Sequence, residues 1–292
     1  MKVLIFGAAG MLGHKLYQRL GSQFDLMATI RGEFSSIERY GIFRRESIIE
    51  KIDVREKASV ELAINTVQPD VVVNAVGVIK QLPSAKDVIT TLEINAIFPH
   101  RLAEFGAHYG FRTISVSTDC VFDGVKGNYV ETDVPNATDL YGKSKALGEL
   151  TGKNCLTLRT SIIGRELGTS HSLIDWFLSN RGGSIKGFTR AIYSGFPTIV
   201  FADIIGDLVA NRPELSGLYQ VASQPINKFE LLNLVNNAYD ANIDIVPEND
   251  FAIDRSLDAS KFNELTGFKP APWPELIAKM AADETDYDSF KK

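Results

Sequence analysis

Tyr141 and Lys145, four residues apart, carry the strongest chemical signal in this sequence. Residues 139 to 150 read as a helix, and positions four apart share a helical face, so the ammonium stands beside the phenol. A free phenol has a pKa of about 10 and is a poor acid near neutrality. An adjacent cation favours its ionised form and lowers that value, which would make Tyr141 a usable proton donor. Thr118, leaving an expected strand, offers a hydroxyl to hold the carbonyl oxygen that receives the proton. A YxxxK pair alone is common. Here it follows a glycine-rich turn and a Ser-Thr at a strand end, in the order a catalytic constellation requires.

The elements that must position these groups start at the first residues. Lys2–Phe6 reads as a strand, Gly7, Gly10 and Gly13 as a tight turn, and Leu12, Leu16 and Leu20 recur at helical spacing. Gly7 lets the chain turn, Gly10 admits a pyrophosphate, and Gly13 lets the helix pack close; Met11 and Leu12 complete the turn. The pyrophosphate then sits on the helix N-terminus. The GxxGxxG spacing is one residue longer than the common GxGxxG.

A second strand over residues 24–30 ends at Arg31, where an arginine suits a 2′-phosphate and so NADP over NAD. Arg44 and Arg45 read as a solvated face. A third strand over 47–52 brings Asp53 and Val54 to the ligand end, near an adenine edge. Residues 71–77 form an unbroken apolar strand that brings Asn74, Ala75, Val76 and Gly77 beside the cofactor. Residues 84–109 read as one long helix with Asn95 inside it and a bend at Pro99. A fifth strand over 112–117 delivers residues 118–124 to the same edge. Regular alternation predicts an α/β, doubly wound parallel sheet.

These pieces together resemble an extended short-chain dehydrogenase/reductase: Gly7-x-x-Gly10-x-x-Gly13, Asn74-Ala75-x-Gly77, Ser117-Thr118-Asp119 and Tyr141-x-x-x-Lys145. Residues 117–124, 141–145 and 158–161 are similar to those of the nucleotide-sugar ketoreductases that reduce dTDP-4-dehydrorhamnose. The resemblance implies a Rossmann fold, Thr118, Tyr141 and Lys145 as the catalytic triad, Asn95 in a proton relay, and Lys145 on the nicotinamide ribose. It also implies NADPH, with NADH as the alternative donor, and a nucleotide-diphosphate sugar as substrate. Asp119, Cys120 and Tyr141 would face that substrate, and Arg190 or Arg255 would neutralise its diphosphate. Cys120 stands where these reductases usually carry a tyrosine, and Lys15 where some carry an acidic residue of a metal-bridged dimer. A homodimer stays open, without that metal. Dehydratases on this scaffold follow the threonine with Asp-Glu; Asp119-Cys120 speaks against elimination and leaves epimerisation as an alternative. A third reading is a regulatory subunit like the β subunit of methionine adenosyltransferase.

Residues 1–165 are expected to form the dinucleotide-binding domain, 166–282 a substrate-binding part interleaved with it, and 283–292 a frayed polar tail. In the second part, helices are expected over 171–180, 203–211 and 228–238, a strand and turn over 191–200, and a strand over 217–222. The 292 residues suffice for a full core, and a net charge of −5 favours neither nucleic acid nor an anionic membrane. Two cysteines suggest a reduced, cytoplasmic setting, and the four histidines show no metal-ligand clustering.

Overall fold

A computed structural model describes residues 1–80 and 86–291. In chain order its first half runs β1 (Lys2–Phe6), α1 (Gly13–Leu20), β2 (Asp25–Thr29), α2 (Ser35–Glu38), β3 (Ile48–Ile49), α3 (Lys57–Val67), β4 (Val71–Asn74), α4 (Val88–Leu92), α5 (Phe98–Tyr109), β5 (Arg112–Thr118), α6 (Leu140–Leu147) and β6 (Cys155–Thr160). The second half runs β7 (Ile162–Ile163), α7 (Leu173–Leu178), β8 (Ser184–Tyr193), β9 (Phe196–Pro197), α8 (Thr198–Asn211), β10 (Gly217–Gln220), β11 (Ile226–Asn227), α9 (Lys228–Ala238), β12 (Asp244–Asp254), α10 (Ser260–Thr266) and α11 (Trp273–Ala281).

Alternation within β1 explains the layering. Val3 and Ile5 belong to one buried cluster with Leu16 and Leu20 of α1 and Phe201 and Ile205 of α8. Leu4 and Phe6 belong to the opposite one, with Val60 and Ile64 of α3 and Phe98 and Leu102 of α5. Successive side chains point to opposite faces, so a strand covered by helices on both sides must be apolar throughout. The seven-stranded sheet has the order β10-β6-β5-β4-β1-β2-β3 and every pairing in it is parallel. Strand order reverses between β4 and β1, so their C-terminal ends border the crevice where doubly wound sheets take ligands.

Several expectations need correction. The third strand is only Ile48–Ile49, preceded by a tight helical turn at Arg45–Ser47. The long helix is described from Val88; residues 84 and 85 lie outside the described residues. A π-helical turn over Glu93–Ile97 widens it, with the Phe98 amide donating to the Glu93 carbonyl. Pro99 has no N–H for the Asn95 carbonyl, and the wider turn absorbs that loss.

The expected strand over 217–222 is Gly217–Gln220, and it joins the main sheet beside β6. A second sheet, β11-β8-β12, stands apart from it. Its eleven-residue β12 went unforeseen because its polar residues and Pro247 leave no apolar alternation to read, as is usual for a charged edge strand. Helix α8 opens five residues before the expected position 203, at Thr198.

The C-terminal segment is not frayed. Tyr287 is 3% exposed, and its hydroxyl lies 2.8 Å from His14 Nε2 on the first turn of α1. Lys15 pairs with Asp283 at 2.5 Å, and Arg165 pairs with both Asp175 and Asp288. Residue 292 of that expected tail lies outside the described residues.

Candidate active site

A cavity of about 640 Å³ opens at the crevice between the ends of β1, β4 and β5. Gly10, Met11 and Leu12 line it on one side, and Asn74, Ala75, Val76 and Gly77 continue that wall. Thr118, Asp119, Cys120, Tyr141, Lys145 and Arg255 line it as well. One cavity thus gathers residues from five separated stretches of chain.

The turn behind Gly10 depends on two glycines that do not themselves face the cavity. Gly7 has a φ of +93°, a conformation L side chains avoid. A Cβ on Gly13 would lie 1.9 Å from the Gly7 carbonyl oxygen, so only glycine lets α1 begin so close to β1. His14 closes the turn from below, its Nδ1 lying 2.9 Å from the Gly10 carbonyl oxygen. A carbonyl only accepts, so Nδ1 carries the proton. The Asn74 side chain is buried, and its Oδ1 accepts the Val76 amide at 3.1 Å, shaping the opposite wall.

Tyr141 and Lys145 ride on α6, which Asp139 caps by accepting the Gly142 amide at 2.8 Å. The other Asp139 oxygen holds Lys80 at 2.8 Å, and that ammonium lies 5.4 Å from the Tyr141 ring centre. The expected depression of the phenol is not what the free chain shows. Burial pushes Tyr141 up, with Cys120 and Asp119 adding to it and the Thr118 hydroxyl opposing. The Lys145 ammonium instead donates to the Val116 carbonyl at 2.7 Å, and burial pulls it down to about 8 against the opposing charge of Glu149. Glu149 is itself clamped by Arg159 at 2.9 and 2.7 Å and accepts Ser117 Oγ at 2.7 Å.

Thr118 Oγ1 accepts the Cys120 amide and donates to Asp119, both at 3.1 Å. Asp119 is buried, which raises its carboxyl. Burial likewise raises the Cys120 thiol to about 12, so it is no thiolate near neutrality. Arg255 donates to the Phe122 carbonyl at 2.8 Å and lies 3.8 Å from Cys120 Sγ.

Other expected residues sit elsewhere. Asn95 is 1% exposed and outside the cavity lining; its amide accepts from the Val78 amide at 2.9 Å and donates to the Val78 carbonyl at 3.1 Å and Ser144 Oγ at 3.2 Å. It therefore joins the loop after β4 to α6. Arg190 is exposed on β8 and does not line the cavity, which β8 reaches only through its last three residues, Ala191, Ile192 and Tyr193. Arg31 is exposed at the end of β2, outside the lining. Asp53 accepts Arg55 at 2.6 Å, which holds its carboxyl below the ordinary range, and Val54 is packed in the core.

Lys228, Glu166 and Tyr193 line the cavity and were missed in the sequence. Only Lys228 carried a signal, a cation opening a helix. Among the described residues no helix is long and apolar enough to cross a membrane, and no group of three or more His, Cys, Asp or Glu is placed to hold a metal ion.

Comparison with known proteins adds to this geometry. The family model described as RmlD substrate binding domain matches residues 1–285. A dTDP-4-dehydrorhamnose reductase of Aggregatibacter actinomycetemcomitans is 25% identical over 96% of this chain and 98% of its own length. The methionine adenosyltransferase 2 subunit beta of Rattus norvegicus is 30% identical over 95% of this chain and 89% of its own. Among solved structures, dTDP-4-dehydrorhamnose reductase of Bacillus anthracis in complex with NADP superposes with a TM-score of 0.78 at 22% identity, covering 97% of this chain and 99% of that one.

Proposed function

The chain belongs to the RmlD substrate binding domain family, and on that premise we propose that it is an NADPH-dependent reductase of a nucleotide-linked 4-keto-6-deoxysugar, with NADH as a second donor. The observation that carries this reading is the opening of Thr118, Tyr141 and Lys145 into the same cavity as the Gly10–Leu12 turn. The residues present suit a dinucleotide. The space a side chain at Gly13 would fill is taken by the turn, and the amide end of α1 borders the cavity, where negative charge is favoured. Gly10, Met11, Leu12, Asn74–Gly77 and Lys145 would hold the cofactor, and Arg31 would meet a 2′-phosphate.

When bound, the nicotinamide supplies the hydride that reduces the keto carbon. Tyr141 gives its phenolic proton to the carbonyl oxygen and regains one from solvent. Thr118 Oγ1 holds that oxygen, and Lys145 supports the charge left on the tyrosine. Arg255 faces the substrate's diphosphate. Asn95 acts indirectly, by holding α6 in place. No glutamate follows Asp119, which favours reduction over elimination.

Fluorescence titration with NADPH and NADH, followed by NADPH oxidation against dTDP-, UDP- and GDP-linked 4-keto-6-deoxysugars, tests this reading. Oxidation with one sugar is expected. A second reading, a regulatory subunit, draws on the 30% identity to the rat subunit. NADPH binding without oxidation of any sugar, together with a stable complex with methionine adenosyltransferase, would replace the first reading by the second.

A further inference from the structure

Four Lys or Arg side chains line the cavity among the described residues: Lys80, Lys145, Lys228 and Arg255. Three of them are committed to the chain itself. Lys80 holds Asp139 at 2.8 Å, Lys145 the Val116 carbonyl at 2.7 Å, and Arg255 the Phe122 carbonyl at 2.8 Å. Lys228 differs. Its ammonium has no hydrogen-bond acceptor or ion-pair partner among the described residues, and its close contact is the face of Tyr193, 4.4 Å from the ring centre.

The position is also costly. Lys228 is the first residue of α9, directly after the Asn227 cap, so its charge stands at the positive end of the helix. Burial lowers its pKa, with Asp119 and Cys120 opposing. Asp119 is a weak counter-ion, since burial favours its neutral carboxyl and Thr118 already donates to it. A residue that breaks two local rules with only an aromatic face and a weak counter-ion to offset them is where a functional position is expected. The missing compensation is negative charge, because a neutral hydroxyl offsets a desolvated ammonium far less than an anionic oxygen does.

We propose that Lys228 is a substrate-binding residue whose ammonium takes an anionic oxygen of a nucleoside diphosphate, beside Arg255. Lysine suits this role as a compact point charge that needs no fixed planar geometry. The assignment rests on the nucleotide-sugar reading above and adds to it the cation that reading lacked.

The test measures binding of UDP, dTDP and GDP, and separately of NADPH, to the wild type and to Lys228→Met, Lys228→Gln and Lys228→Arg. Loss of a charged hydrogen bond predicts a Kd about 10- to 100-fold higher for the bound diphosphate in the Met and Gln variants. The Arg variant should stay within a few-fold of wild type, NADPH affinity should not change, and the defect should shrink with added salt. The two neutral variants guard against one misfolding, and NADPH binding reports an intact fold. Wild-type affinity for the diphosphate in both neutral variants overturns the assignment. So does a defect seen only with the intact nucleotide sugar, which would place the ammonium on the sugar. A wild type that binds no nucleoside diphosphate overturns the nucleotide-sugar reading itself.

Discussion

Two regions of this molecule bury the same kinds of ionisable side chain and treat them in opposite ways. Around the first turn of α1, Lys15 donates to Gln18, Thr285 and Asp283 at 2.6, 3.0 and 2.5 Å. The Tyr287 hydroxyl shares its proton between His14 Nε2 and Asp283 at 2.8 and 3.0 Å. Arg165 and Lys291 both pair with Asp175, whose side chain is fully buried. Charge there is matched by charge, which is how a buried ionic cluster is tolerated. In the cavity the groups are left open: the Tyr141 phenol is raised by burial, Lys145 rests on a neutral carbonyl, and Lys228 has no acceptor among the described residues. The knot is complete without a ligand. In the cavity the burial of these groups is not offset by opposite charge, which is what makes it the candidate site.

The largest expected effect tests the open side of that contrast. Tyr141→Phe should lower turnover by about 10²- to 10⁴-fold, the usual worth of a general acid, and leave NADPH affinity unchanged. Single-turnover NADPH oxidation reads it, and full activity would remove Tyr141 from the chemistry.

On the closed side, Asp175→Asn should cost about 3–5 kcal/mol of stability, because it removes the buried counter-charge of Lys291 and the buried one of the two that Arg165 has, leaving Arg165 only the exposed Asp288. Urea denaturation measures this. A loss below about 1 kcal/mol would mean that the knot is ornamental and the contrast false.

The smallest effect is a pH dependence. Burial first, then the neighbouring Lys15 charge, lower His14 to about 4, from about 6.5 in an unfolded chain. The unfolded chain therefore binds more protons between those values, and stability is lost as pH falls from about 6.5 towards 4, by up to about 3 kcal/mol. His14→Gln should flatten that slope. An unchanged slope in the variant would place the acid sensitivity elsewhere.

Legibility followed the range of the interactions. The strand, the glycine turn and α1 could be read because an apolar run, three glycines and leucines at helical spacing act within twenty residues. Helix α9 was read over its full length, Lys228–Ala238, for the same reason. Arg190 failed because how far along β8 the cavity reaches, to Ala191 and not to Arg190, depends on how the small sheet is placed against the large one. The tail failed because its polar composition suggested solvation, whereas its partners lie 273 and 123 residues away, at His14 and Arg165.

The sequence by itself determined the doubly wound sheet, the turn at its centre and the helix that carries Tyr141 and Lys145, since backbone geometry and hydrophobic period are local properties. Only the tertiary structure decided that Lys145 faces Val116, that the Asn95 amide is spent on Val78 and Ser144, that Gly217–Gln220 completes the main sheet, and that Lys228 is left without an acceptor among the described residues. Burial and pairing set the charge and reach of a side chain, and both are fixed by residues that meet only when the chain has folded.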